Sequence, residues 1–86
     1  MDVSIELTYS PLTDSYEQHV IDFIKVLRAS KFTVIENPLS TQIFGNYDDL
    51  MPFLTTAIKD AFNSIDIAVM SIKLVKTDRS NYEPHF

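Results

Sequence analysis

Apolar residues in this chain recur first at every second position, then at every third or fourth, and the order of these changes admits few folds. Val3, Ile5, Leu7 and Tyr9 alternate with Ser4, Glu6, Thr8 and Ser10, which describes a strand with one apolar and one polar face. Pro11 and Leu12 end it. Val20, Phe23, Ile24 and Leu27 then take up helical spacing, so Tyr16 to Ala29 reads as an amphipathic helix. Ser15 with Gln18 has the form of a capping box, and Asp14 and Glu17 place negative charge at the helix start. Phe32 to Glu36, β-branched and aromatic, predicts a second strand. Asn37-Pro38 breaks it, because proline cannot donate to a ladder. Ser40 to Gly45 predicts the third strand. Asn46 or Asp48 then caps a helix with Leu50, Met51, Leu54, Ala57, Ile58, Ala61 and Phe62 at its apolar positions. Pro52 falls in or just beyond the first turn, where a missing N–H costs little. Ile65 to Lys76 alternates again and predicts a long last strand.

The predicted order is β-α-β-β-α-β, the ferredoxin-like α+β unit. Right-handed crossovers put the first and third strands in the middle of a four-stranded antiparallel sheet. Both helices then cover one face and the other stays open. Residues 1–76 are expected to form the single ligand-binding domain, and residues 77–86 a polar tail or an arm onto a neighbour. A chain of 86 residues buries limited surface, so a homodimer packed through the open face is the expected assembly.

Residue counts exclude several kinds of chemistry. No cysteine is present, which removes disulfides, thiol catalysis and thiolate metal sites. A single glycine, Gly45, forbids a P-loop and the dinucleotide fingerprint. The net charge of −5 argues against nucleic acid and anionic membranes as partners. Neither a leader pattern nor an apolar run of membrane length is visible, so the expectation is a soluble, cytoplasmic protein. His19 and His85 share no ligand spacing, and neither a metal nor a cofactor is expected. No catalytic constellation stands out, and the chain is expected not to be an enzyme.

The stretch from Asn37 to Asp48 carries the clearest functional signal. Ser40, Thr41 and Gln42 follow one another in a strand, which packing alone does not require. With Ile5, Leu7 and Ile43 on the helix side, Ser4, Glu6, Thr8, Ser10, Ser40, Gln42 and Phe44 point to the open face. Val69, Ser71 and Lys73 join them if Met70 and Ile72 are core. Glu6, Gln42 and Lys73 then lie near the centre of a surface that is half polar and half apolar. A plain pairing of Glu6 with Lys73 across the sheet is the alternative to a ligand contact.

An opening strand ending in Tyr9-Ser10-Pro11-Leu12, a helix, the run Asn37-Pro38-Leu39-Ser40-Thr41-Gln42-Ile43-Phe44-Gly45 and then Tyr47-Asp48-Asp49-Leu50-Met51 together resemble the YkoF-related family. That resemblance spans roughly Val3 to Lys76, with the Ser-Thr-Gln-Ile-Phe-Gly run and the Tyr-Asp-Asp after it its most specific part. It implies ferredoxin-like domains, dimers packed through their sheets, and non-enzymatic binding of thiamin or its hydroxymethylpyrimidine precursor in salvage or transport. An aminopyrimidine offers an amine donor beside ring-nitrogen acceptors, which a carboxylate, an amide and hydroxyls can pair. Glu6, Thr8, Ser40, Thr41 and Gln42 are the candidate polar contacts, with Tyr9 and Phe44 as ring neighbours; Thr41 enters through the motif, since an ideal strand points it away from Ser40 and Gln42. The rival expectation is a ligand-free structural or regulatory dimerisation module, favoured by Val69, Phe44 and Tyr9 on the open face.

Overall fold

The computed structural model describes all residues 1–86. β1 (Asp2–Pro11), α1 (Tyr16–Arg28), β2 (Thr33–Glu36), β3 (Thr41–Asn46), α2 (Tyr47–Asn63) and β4 (Ala68–Lys76) follow one another in the expected order. They form one antiparallel sheet in the order β2-β3-β1-β4, so the first and third strands are central. This is the ferredoxin-like α+β fold. α1 packs against β1, α2 against β3, and the helices touch each other.

Alternation in the strands dictates the core. Val3, Ile5 and Leu7 of β1 and Ile43 of β3 are at most 2% exposed, and they close against Phe23 and Leu27 of α1 and Leu50, Leu54 and Ala57 of α2. Full burial of such side chains contributes roughly 1.5–3 kcal/mol each, which makes this cluster the main source of stability. α2 starts where β3 ends: the Asn46 side chain accepts a hydrogen bond from the Asp48 N–H at 3.0 Å, the capping arrangement expected. Pro52 lies inside this helix just past the first turn.

Three local expectations need correction. Ser15 makes no side-chain capping bond, because its backbone (φ −94°, ψ 31°) is not extended, and Gln18 instead donates to Asp22 at 2.7 Å one turn on. The last strand begins at Ala68; residues 65–67 turn out of α2, with the Ile65 N–H donating to the Phe62 carbonyl. Ile72 and Leu74 do not join the core and remain 53% and 48% exposed. They belong to an edge strand, and the helices pack over the two central strands.

Arg28, in the last turn of α1, reaches the end of β2. Its guanidinium donates to both Glu36 carboxylate oxygens, at 2.5 and 2.6 Å. The hydrogen bonds and charge of Arg28 hold the Glu36 carboxyl below its ordinary pKa. A depressed carboxylate contributes stability above its unfolded pKa and loses that contribution as pH falls through the folded value. The stability gap between the native chain and Glu36→Gln, followed by urea unfolding, is therefore expected to be present at neutral pH. It should shrink as pH drops from about 6 towards 3, and a gap independent of pH would contradict the pairing.

Candidate functional site

β1 and β3 run antiparallel with Ser4 opposite Phe44 and Glu6 opposite Gln42, while β4 sets Lys73 beside Glu6 on the other flank. One register thus lines up Gln42, Glu6 and Lys73 across three adjacent strands on the face away from the helices. They share a hollow of ≈ 150 Å³ with Ser4, Phe44 and Arg79. Phe44 supplies the apolar floor and is only 6% exposed.

Ser40 reaches this site through the β2–β3 turn. The Asn37 side-chain oxygen accepts from the N–H groups of Leu39 and Ser40, at 3.2 and 3.0 Å, and the Asn37 N–H donates to the Ser40 carbonyl. The local bonding that asparagine favours in turns holds the loop. The Ser40 hydroxyl donates to Glu6 at 3.1 Å, with the Asn37 side-chain oxygen a longer second acceptor at 3.4 Å. Glu6 forms no ion pair with Lys73 despite their adjacency, so both charges remain available.

Chain reversal beyond β4 completes the hollow. Thr77 has φ 142°, a left-handed value that costs a β-branched residue on the order of 1–3 kcal/mol. Ser4 offsets it: its hydroxyl donates to the Thr77 carbonyl at 2.7 Å and accepts from the Arg79 N–H at 2.8 Å. Asp78 accepts from the Ser80 N–H at 2.9 Å, and hydrogen bonding from the Ser80 side chain, then from this N–H, lowers the Asp78 pKa. Arg79 also lies over the Tyr82 ring, 5.9 Å from its centroid. Residues 77–79 are therefore folded onto this chain's own sheet and are not a loose tail.

Among the sequence candidates, Glu6, Gln42 and Phe44 line the hollow and Ser40 bonds to Glu6. Thr8 is on the same face but exposed, paired with Ser71 beyond the hollow. Two candidates lie on the wrong side. Tyr9 packs beneath the helices, its ring 5.3 Å from Phe23 and 6.3 Å from Phe62, so it cannot flank a ligand on the open face or serve an interface there. Thr41, opposite Leu7, is 7% exposed on the helix side, as strand parity demands. The residues sequence reasoning missed are Ser4 and Arg79. Parity already placed Ser4 on this face, but no periodic signal announces the reversal that delivers Arg79.

No protein-family model and no curated protein matches the chain. Solved structures do. Protein SP2199 from Streptococcus pneumoniae superposes with a TM-score of 0.83 at 25% identity, over 91% of this chain and 89% of that one. A Thermotoga maritima protein, provisionally assigned to thiamine biosynthesis or salvage, gives 0.81 at 10% identity over 90% of this chain and 85% of its own. A domain of unknown function, DUF77, from Bacillus cereus gives 0.75 at 19% identity, covering 90% and 77%. At these identities the likeness is one of fold. No helix is long and apolar enough to cross a membrane.

Proposed function

We propose that this chain is a non-enzymatic binder of hydroxymethylpyrimidine or thiamin, akin to the YkoF-related proteins, and that it works as a homodimer through its open sheet face. The convergence of Glu6, Gln42 and the Ser40 hydroxyl beside the buried Phe44 ring carries this reading. A carboxylate accepts from an exocyclic amine, and an amide can donate to one ring nitrogen while accepting elsewhere. Pairing in a partly desolvated hollow makes recognition selective, since an analogue without those groups leaves polar atoms unpaired. The provisional thiamine assignment of the Thermotoga maritima neighbour supports the same ligand class.

Size and charge refine the choice. A hollow of ≈ 150 Å³ matches one aromatic ring, as benzene fills a protein cavity of ~150 Å³. Lys73 and Arg79 beside it disfavour the cationic thiazolium. The neutral pyrimidine is therefore the better ligand, and thiamin binds by its pyrimidine end with the thiazolium kept outside the hollow. By calorimetry, hydroxymethylpyrimidine is expected to bind at least as tightly as thiamin. Glu6→Gln and Gln42→Ala should each weaken it about tenfold, the loss of one charge-assisted or buried hydrogen bond, while light scattering shows the same assembly. Absence of heat and of thermal shift with both ligands would refute the proposal.

A ligand-free dimerisation module is the second reading. Exposed Ile35, Val69 and Val75 favour it, because all three lie on the open face and are 36% exposed or more. Variants at Glu6 and Gln42 that dissociate the dimer without any ligand effect would support that module instead.

A further inference from the structure

On the opposite side of the sheet the two helices part to leave a second cleft of ≈ 250 Å³, unrelated to the open-face hollow. His19, Asp22, Phe23 and Val26 line it from α1, one stripe at i, i+3, i+4 and i+7. α2 with its C-cap answers with Ala57, Asp60, Ala61 and the capping Ser64 at the same spacing. The small residues of α2 make the room, since a leucine at Ala57 or Ala61 would fill it. Tyr9 of β1 also lines the cleft, and its hydroxyl is buried without a hydrogen-bond partner, the one buried side-chain polar atom of the protein so left. An unpaired buried hydroxyl is costly, and native interiors rarely keep one without a use. Asp22 and Asp60, one on each helix, are exposed and belong to neither of the protein's two ion pairs.

We infer that this cleft is a binding site for a small aromatic cation: a single ring bearing a hydroxyl or similar polar group, joined by a short arm to an ammonium. The ring lies among Phe23, Val26 and the alanines, its polar group pairs with the Tyr9 hydroxyl once that hydroxyl, closed to solvent as the helices pack, turns into the cleft, and the ammonium meets Asp22 and Asp60. A cavity of ~150 Å³ holds benzene, so ≈ 250 Å³ leaves space for the arm. The residues involved are distinct from those of the open-face hollow, so the two sites stand or fall separately.

Three matched probes test it, by NMR titration and calorimetry at about pH 8, where an alkylammonium keeps its charge. Tyramine carries both groups, phenethylamine lacks the hydroxyl, and 4-hydroxyphenylpropionate replaces the cation by an anion. Tyramine is expected to bind about fivefold more tightly than phenethylamine, the factor one hydrogen bond gives, and at least tenfold more tightly than the anion. Its shift changes should centre on His19, Asp22, Asp60 and Ala61. Tyr9→Phe should erase the tyramine–phenethylamine difference. Ala61→Leu should abolish binding, and the surface pair Asp22→Asn with Asp60→Asn, which does not disturb the core, should remove the preference for the cation. Gln42→Ala on the open face should change nothing. The inference is overturned if none of the three probes binds, if the anion binds as well as the cation, if the doubly neutralised variant keeps its preference, or if the perturbed amides are those of Gln42 and Lys73.

Discussion

Leu27→Ala is expected to cost about 3–4 kcal/mol of folding stability, the middle of the range for truncating a fully buried leucine. Leu27 is 0% exposed and belongs to the cluster where α1 closes on the sheet. The chain holds only nine such clustered core residues, so neighbours have little freedom to collapse into the gap. Domains of this size are typically stable by roughly 5–15 kcal/mol, so one truncation removes a large share. Urea unfolding should show a lower midpoint with an unchanged slope, the mark of lost stability without a changed denatured state. A loss under about 1 kcal/mol would mean that α1 is not seated on the sheet as described.

The second large effect concerns the only glycine. Gly45 has no positive φ, so conformational freedom does not explain it. Space does. A Cβ at this position would lie 2.5 Å from Cδ1 and 3.0 Å from Cε1 of the Phe32 ring. That ring packs against Phe53, with centroids 5.5 Å apart, and has limited room to retreat. Overpacking costs about 1–3 kcal/mol, and alanine recovers about 0.5–1 kcal/mol because it loses less entropy than glycine in a strand. Gly45→Ala should thus destabilise by about 1–2 kcal/mol. In a Phe32→Leu background the same change should be neutral or stabilising, and equal costs in both backgrounds would refute the contact as the cause.

The layout of the fold was legible because periodicity changes with each element. Alternation through Val3, Ile5 and Leu7, helical spacing through Phe23 and Leu27, and the Asn37-Pro38 break are local signals, and each survives in the structure. Strand parity carried much of the site as well: with Ile5 and Ile43 inward, Glu6, Gln42 and Phe44 had to share the open face. Parity also speaks against Tyr9 and Thr41 as ligand contacts, since both keep step with buried neighbours. What parity cannot give is coverage. Ile72 and Leu74 have the correct phase for burial, but the helices lie over the central strands and leave the edge bare. Nor does any pattern reveal Arg79. Its position depends on an unusual backbone angle at Thr77 and on hydrogen bonds from Ser4, more than seventy residues away.

One NMR titration decides whether the helix-free side of the sheet recognises a nitrogen heterocycle. Hydroxymethylpyrimidine added to the labelled native protein is expected to shift the amides of Glu6, Gln42, Phe44, Lys73 and Arg79 saturably, leaving His19 and Asp60 in place. Spectra unchanged at saturating ligand, or changes confined to the helices, would contradict it.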